Sequence, residues 1–406
     1  MAVGLSGEID PDPVAGVRLG SAPLGMRSDP RDDLTIIELA AGSRAAAVFT
    51  RNAFCAAPVI VAREHLGRQA PRYLLINAGN ANAGTGSRGL ADARSCCQAV
   101  AERCACSADA VLPFSTGVIG ESMPMTRFPE AIDSAIADLD ENGWAAAARA
   151  IMTTDTVPKC ISRHFEVAGH TLTVTGIVKG AGMIRPDMAT MLAFVATDAA
   201  VGQALLDDCL VRATQQSFNR ITVDGDTSTN DACVLMASGA GGAPSIDDPS
   251  SDGARALYGA VSEVCTWLAQ SIVRDAEGAS KFVTIAVREG RDEQECLQLA
   301  YAVAHSPLVM TAMYASDANW GRILAVVGRA GLEDLNIAAV RIHLGDVCIV
   351  ADGERAADYT EQRGQGAMAV DEITVTIGLG RGAAEAAVWT SDLSHEYVTI
   401  NAEYRT

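Results

Sequence analysis

Chemistry in this chain concentrates at Lys179-Gly180-Ala181-Gly182-Met183-Ile184-Arg185-Pro186-Asp187-Met188-Ala189-Thr190. A lysine and two glycines lead there through a proline turn to a small residue and a threonine. Gly180 and Gly182 admit backbone angles closed to other residues, while Pro186 fixes its own φ and biases Arg185 toward extended geometry. Such a turn can present the carbonyl of Ala189 to the Thr190 hydroxyl. Attack there would give an ester, and hydrolysis would free Thr190 as a new N-terminus whose α-amine can act as base for its own side-chain nucleophile. The plain alternative is a Gly/Pro loop entering a buried strand, with Thr190 as the first strand residue.

Other stretches carry weaker signals of their own. At Ser115-Thr116-Gly117 a strand ends in a hydroxyl and a flexible backbone amide, the group types that an oxyanion hole requires. The amides and glycines of 77–84 leave many backbone groups in need of partners and read as a loop built on asparagine turns. Thr153-Thr154-Asp155-Thr156 could be good strand residues and no more. In 224–231 carboxylates lie beside hydroxyls, but their spacing departs from a calcium-binding loop, and a hydrogen-bonded turn is the preferred reading. Glu277 beside Lys281 is most simply a solvated pair.

Taken together, these stretches resemble the ornithine acetyltransferase family, which transfers acetyl groups between glutamate and ornithine in arginine biosynthesis. KGAGMIRPDMATML at 179–192 resembles the family's processing site. INAGNANAGTG at 76–86, FSTGVIGE at 114–121, TTDTVPK at 153–159, DGDTSTND at 224–231, NWGRILAVVGRAG at 319–331 and DLSHEYVTINAEYRT at 392–406 continue the match in order. The resemblance implies scission between Ala189 and Thr190, giving an alpha chain of 1–189 and a beta chain from 190. It implies Thr190 as nucleophile, Thr116 and Gly117 as the oxyanion hole, and substrate contacts from one threonine of 153–156, assigned to Thr153, and from Lys179, Thr190, Glu277, Asn401 and Thr406. The activity implied is transfer of acetyl from N-acetyl-L-ornithine to L-glutamate through an acetyl-threonine, releasing ornithine and N-acetylglutamate. Acetyl-CoA stands open as a further donor, and no bound cofactor is implied. The fragments are expected to stay associated as a heterotetramer of two alpha and two beta chains. Family members usually carry DGEGATK around Glu277, so Ala276 and Ser280 are departures, as is Asp187 where many have asparagine. The competing reading is a self-processing amidase or aminopeptidase with an N-terminal threonine. It would admit water to the acyl-enzyme where a transferase excludes it.

Composition narrows the classes. Lys and Arg number 31 against 50 Asp and Glu, a formal charge of −19 that opposes nucleic-acid or anionic-membrane binding. Small molecules or protein subunits are the expected partners. Eleven cysteines form an odd set that includes adjacent Cys96 and Cys97. With no apolar leader in the first 13 residues, reduced thiols in the cytosol are expected. Cys104 and Cys106 lack a second ligand pair at zinc spacing, and the six histidines are scattered, so no metal is expected. No apolar run reaches transmembrane length.

The elements that must position these residues alternate along the chain, and α/β is the predicted class. Strands are expected over 34–39, 46–50, 59–63, 73–76, 110–114, 161–167, 171–178, 191–195, 219–223, 282–287, 342–350, 372–379 and 387–390. Helices are expected over 90–104, from Pro129, over 144–151, 207–217 and 293–305, with 323–327 read as helix or strand. Leu257, Val261, Val264, Leu268 and Ile272 mark one face of a long helix. The resemblance adds sheets between helical layers, similar to N-terminal-nucleophile hydrolases. The main catalytic domain is drawn as 1–290, and 291–406 as a smaller α/β domain contributing substrate contacts. Gly378-Leu379-Gly380-Arg381-Gly382-Ala383 matches a dinucleotide fingerprint, but a strand is expected where that motif needs a helix.

Overall fold

The computed structural model describes residues 2–26, 31–185 and 191–403. Ala189, Thr190 and Thr406 therefore lie outside the described residues. The chain divides into two compact units, one of Gly7–Asn219 with Thr227–Ile272, the other of Met1–Ser6, Arg220–Asp226 and Val273–Thr406. The main division falls after Ile272 rather than near Gly290. Strand pairing explains the difference: Phe282–Gly290, assigned by sequence to the main domain, pairs along its length with two strands of the C-terminal segment.

In chain order the first unit runs β1 (Val17–Ala22), β2 (Leu34–Leu39), β3 (Arg44–Phe49), α1 (Ala57–Leu66), β4 (Tyr73–Asn80), α2 (Gly86–Cys104) and β5 (Val111–Val118). It continues with α3 (Phe128–Ala137), α4 (Trp144–Ala150), β6 (Lys159–Val167), β7 (His170–Lys179), β8 (Leu192–Thr197), α5 (Gln203–Gln216), β9 (Ala232–Ala237) and most of α6 (Asp252–Arg274). Two sheets, β1-β2-β4-β5 and β3-β9-β8-β7-β6, face one another. One core cluster takes Ile37, Leu74 and Ile76 from the first and Ile177, Phe194 and Val234 from the second. The rings of Phe114 and Phe194 meet edge to face at 5.2 Å.

Helices close the outer faces. Cys97 and Val100 of α2 and Ile132 of α3 share a cluster with Ile36, Leu75 and Val111. On the other sheet, Leu257, Val261, Val264, Leu268 and Ile272 of α6 are fully buried, the stripe that the sequence marks. Gly176 in β7 makes room for that helix, since a Cβ there would lie 2.8 Å from Val264 and 2.9 Å from Leu268. The unit is thus an α/β sandwich with paired sheets between helical layers.

The second unit adds β10 (Phe282–Gly290), α7 (Glu293–Ala304), α8 (Pro307–Tyr314), α9 (Trp320–Arg329), β11 (Arg341–Leu344), β12 (Val347–Ala351) and β13 (Glu354–Arg355). It ends with α10 (Glu361–Met368), β14 (Glu372–Gly378), β15 (Ala384–Ser391) and α11 (His395–Glu403). Its mixed sheet has the order β13-β12-β11-β14-β10-β15. Leu299 and Val303 of α7 and Val326 and Val327 of α9 share one core with Val283, Ile342 and Val375 of that sheet.

Three expected strands are different elements. Residues 59–63 lie in α1, because Pro58 occupies the first helical turn, where its missing N–H is not needed. In place of a strand over 219–223 there is a short 3-10 turn, Phe218–Arg220, and a single bridge between Ile221 and Trp389. Residues 342–350 form a hairpin, β11 and β12, turning at Gly345 with φ +52°. β15 occupies the place where the dinucleotide fingerprint would need a helix. Among the described residues no single helix is long and apolar enough to cross a membrane.

Candidate active site

In the first unit the site begins where β4 and β5, paired in parallel, bring Gly79 opposite Gly117. Gly117 has φ +132°, and a Cβ on it would lie 2.2 Å from the Gly79 carbonyl carbon. Only glycine allows that approach. Buried amides brace the strand ends. The Ser115 hydroxyl donates to Asn77 Oδ1 at 2.6 Å, and Asn77 Nδ2 donates to the Asn80 carbonyl at 2.8 Å. Asn230 Nδ2 donates to the carbonyls of Ala81 and Ser115 at 2.6 and 2.9 Å. The stretch read as an asparagine loop is therefore partly strand, since β4 runs through Asn80, and its side chains satisfy backbone groups that the sheet leaves open.

Lys179 ends β7, and its Nζ donates to Thr116 Oγ1 at 2.9 Å. An ammonium cannot accept, so the buried Thr116 oxygen is the acceptor and its own hydrogen must point elsewhere. With a cation drawing on that oxygen, the hydroxyl is a better donor to a third group. Lys179 also pairs in register with Leu192, two positions past Thr190 in the chain.

Behind this pair sits an ion pair that sequence reasoning missed. Asp155 and Lys159 have no exposed side-chain surface, and Lys159 Nζ reaches Asp155 Oδ1 at 2.6 Å. The same oxygen accepts the Gly180 N–H at 2.8 Å, while Oδ2 accepts the Thr153 N–H at 2.9 Å. Burial pushes the Asp155 carboxyl up, but Lys159, Lys179 and the Gly180 N–H outweigh it and hold the group well below the usual carboxylate range. One carboxylate thus ties the segment bearing Thr153 to the one that follows Lys179. The available signal was the i, i+4 spacing of Asp155 and Lys159, in a stretch read for its threonines.

Glu277 and Asn401 belong to the second unit. Glu277 is buried, and its Oε2 accepts from Asn401 Nδ2 at 2.8 Å. It does not form the expected surface pair with Lys281, which is itself buried and donates to the Val370 carbonyl at 2.8 Å. Gly278, with φ +69°, lets α11 come close, because a Cβ there would lie 2.5 Å from the Tyr397 nitrogen. Asp392 accepts the Ser280 N–H, the Ser280 hydroxyl and the Lys281 N–H at 2.8, 2.5 and 2.9 Å. Serine at 280 supplies a hydroxyl, as the family's threonine would. Asp224 accepts from the Tyr397 hydroxyl at 3.3 Å and from the Asp226 N–H at 3.2 Å, a turn held by hydrogen bonds. Burial, then Asp224 and Glu277, push the Tyr397 phenol far above its usual value.

Among the described residues no group of three or more His, Cys, Asp or Glu is placed to hold a metal ion. All eleven cysteines are free thiols, and burial pushes those of Cys96 and Cys160 up to about 12, away from nucleophilic chemistry.

The model of the ArgJ family matches residues 18–406. A protein of Methylococcus capsulatus named arginine biosynthesis bifunctional protein ArgJ is 60% identical over 394 residues, covering 97% of this chain and 96% of that protein. A protein of the same name from Pseudomonas syringae pv. tomato is 54% identical over 406 residues, covering both chains completely. The crystal structure of the ArgJ protein of Bacillus halodurans aligns with a TM-score of 0.50 at 36% identity, covering 52% of this chain and 98% of that one. With its family model running from the second residue of β1 to the end of the chain, this protein belongs to the ArgJ family.

Proposed function

We propose that the chain cuts itself before Thr190 and then moves the acetyl group of N-acetyl-L-ornithine to L-glutamate through an acetyl ester on Thr190. The observation that carries this reading is the 2.9 Å bond from Lys179 to Thr116, beside a Gly117 backbone that only glycine can adopt. After scission the Thr190 α-amine, with an ordinary pKa of about 7.7–8.0, is partly neutral near pH 7 and takes the hydroxyl proton. The Thr190 oxygen attacks the acetyl carbonyl, and the Thr116 hydroxyl and Gly117 N–H receive the developing oxyanion. Losing one such donor removes about 3–4 kcal/mol of transition-state stabilisation. Ornithine leaves, and the glutamate amine attacks the ester to give N-acetylglutamate.

Ornithine and glutamate share only their α-amino and α-carboxylate groups. A covalent intermediate lets one pocket serve both, because the first product departs before the second substrate arrives. Thr153, Lys179, Glu277, Asn401 and Thr406 are assigned to substrate, with Lys179 for a carboxylate and Glu277 for the ornithine ammonium. The fragments stay together because β7 and β8, which flank the cut, pair from Val174 with Thr197 to Lys179 with Leu192. Two such cleaved units form the heterotetramer, in the cytosol.

A denaturing gel should show fragments 1–189 and 190–406, and Thr190→Ala should leave the chain intact and inactive. Mass spectrometry after N-acetylornithine alone should find one acetyl group on the peptide that begins at Thr190. Initial rates at several fixed glutamate concentrations should give parallel double-reciprocal lines. Supplying acetyl-CoA in place of N-acetylornithine tests the second donor. Full activity in an uncleaved chain would overturn the reading.

A further inference from the structure

β3 is an edge strand of the five-stranded sheet, and among the described residues only β9 pairs with it. The Thr50 N–H donates to the Asp231 carbonyl at 2.9 Å, one step beyond the strand in the same register. Hydrogen-bonded pairs alternate along an antiparallel ladder, so Arg44, Ala46 and Val48 bond to β9, and the backbone groups of Ala45, Ala47 and Phe49 turn to the open side. Two side chains fence that side. Gln203 Nε2, in the first turn of α5, donates to the Ala45 carbonyl at 3.0 Å, and Arg63 Nη2 of α1 donates to the Thr50 carbonyl at 2.5 Å. Between these fences no side chain of the described residues bonds to the N–H or C=O of Ala47. A strand edge left open in this way is a template for one more hydrogen-bonding partner.

The open stretch lines a cavity of about 530 Å³, which shares no lining residue with the candidate active site. Small-molecule sites commonly span about 300–1,000 Å³. Ala45, Ala47 and Leu66 give this one an apolar wall, and Arg63 and Asp207 give it charge of both signs. The Arg63 guanidinium is held over the Phe49 ring, 5.3 Å from its centroid, and no carboxylate pairs with it among the described residues. Arg68, also in the lining, already pairs with Glu64 and Asp109. Asp207 takes the Gln203 amide at 2.9 Å and no cation among the described residues. A complementary ligand therefore offers an acceptor to the Ala47 N–H, an anion to Arg63 and a cation to Asp207, within the length of edge that the two fences leave.

We propose that this cavity binds an N-acylated amino acid with a cationic side chain. The acyl carbonyl accepts the Ala47 N–H, the carboxylate meets the Arg63 guanidinium and the side-chain ammonium meets Asp207. A free α-amino acid lacks that acyl carbonyl, and an N-acylated acidic one would set a second carboxylate against Asp207. The matching chemistry is that of N-acetylornithine, and only the choice of its acetyl group rests on the transfer proposed above. The lining holds no serine, threonine or cysteine, so the molecule is bound there without being consumed. The donor thus has a second place to bind, which reports its supply.

Hydrogen exchange of the wild-type protein, read by mass spectrometry, tests this. N-acetyl-L-ornithine supplied without glutamate should slow exchange in the peptide that contains residues 44–50, because the Ala47 N–H gains a partner. Arg63→Gln and Asp207→Asn, both at exposed side chains, should each raise the concentration for half-protection ~10-fold or more. L-ornithine and N-acetyl-L-glutamate should each need a similar excess over N-acetyl-L-ornithine. Absence of protection over 44–50, or protection unaltered in both variants, overturns the proposal. Protection that grows with protein concentration in the absence of ligand assigns the edge to a second copy of this chain, and overturns it as well. A chain that shows the ligand's protection yet transfers no acetyl group to glutamate refutes the transferase reading and leaves this site standing.

Discussion

Thr116 and Glu277, the two side chains expected at opposite ends of the substrate's chemistry, are held in different ways. Thr116 stands near the end of β5, an edge strand of its sheet, braced by buried asparagines and by a lysine backed by a fully buried ion pair. Glu277 stands in a turn after α6, and its partner Asn401 is carried by a helix with no buried residue. The contrast matches the roles proposed for the two residues. Donors to a developing oxyanion act only if they are already in place when charge appears, since reorganisation would cancel their benefit. A contact that must release ornithine and admit glutamate gains from a less rigid mounting.

The largest test of that contrast is Gly117→Ala. The added methyl group cannot be accommodated beside the Gly79 carbonyl carbon, so the strand end must shift and the proposed oxyanion donors with it. The expected result is a fall in kcat of ~100-fold or more with little change in KM. Activity within about threefold of wild type, a difference of ~0.7 kcal/mol in the barrier, would show that donor placement at Gly117 does not limit the reaction.

Asp155→Asn is the next largest. Leaving Lys159 buried without its counter-charge should reduce unfolding free energy by about 3–5 kcal/mol, read from urea denaturation at pH 7. The folded-state pKa of Asp155 is depressed, so its stabilisation is present above the unfolded value of about 3.9 and is lost as pH falls through the lower folded value. The gap between wild type and variant should therefore hold from neutral pH down to about 4 and close only in stronger acid. A gap that already narrows between pH 8 and 6 would assign the effect to another group.

How much of this was legible in the sequence follows the same division. Thr116, Gly117 and Lys179 were named from the resemblance, the local pattern alone being weak, and the structure brings Lys179 Nζ to Thr116 Oγ1 with Gly117 packed against Gly79. Asp155 was passed over although Lys159 stands only four residues on, because the Gly180 N–H that it also accepts is distant in sequence and comes near only through strand pairing. Asp231 was read within a polar turn, and nothing local marks the burial of its carboxyl. Among the elements, β9 escaped because its unbroken apolar run, every residue buried, has no period to distinguish strand from helix. The Glu277 and Lys281 pair was misread because four-residue spacing suggests contact only on a helix, and here the chain turns between them.

The smallest effects belong to the second unit, and they separate binding from chemistry. Asn401→Ala removes one neutral donor from Glu277 on an exposed helix, which is worth about 0.5–1.5 kcal/mol, or roughly two- to tenfold in the KM for N-acetylornithine. Glu277→Gln keeps the shape and an acceptor for Asn401 but removes the charge assigned to the ornithine ammonium. Its effect should be larger, roughly tenfold or more on the ornithine side, because hydrogen bonds to charged groups are worth about 1.5–3 kcal/mol. Neither variant should slow the appearance of the fragment beginning at Thr190, since scission needs no amino-acid substrate. Measuring kcat and KM separately with N-acetylornithine and with glutamate distinguishes the outcomes. If Glu277→Gln left both sets of constants unchanged, Glu277 would be a structural anchor for α11. If it reduced kcat for both substrates as severely as Gly117→Ala, the looser mounting of this pair would not mark a looser functional demand.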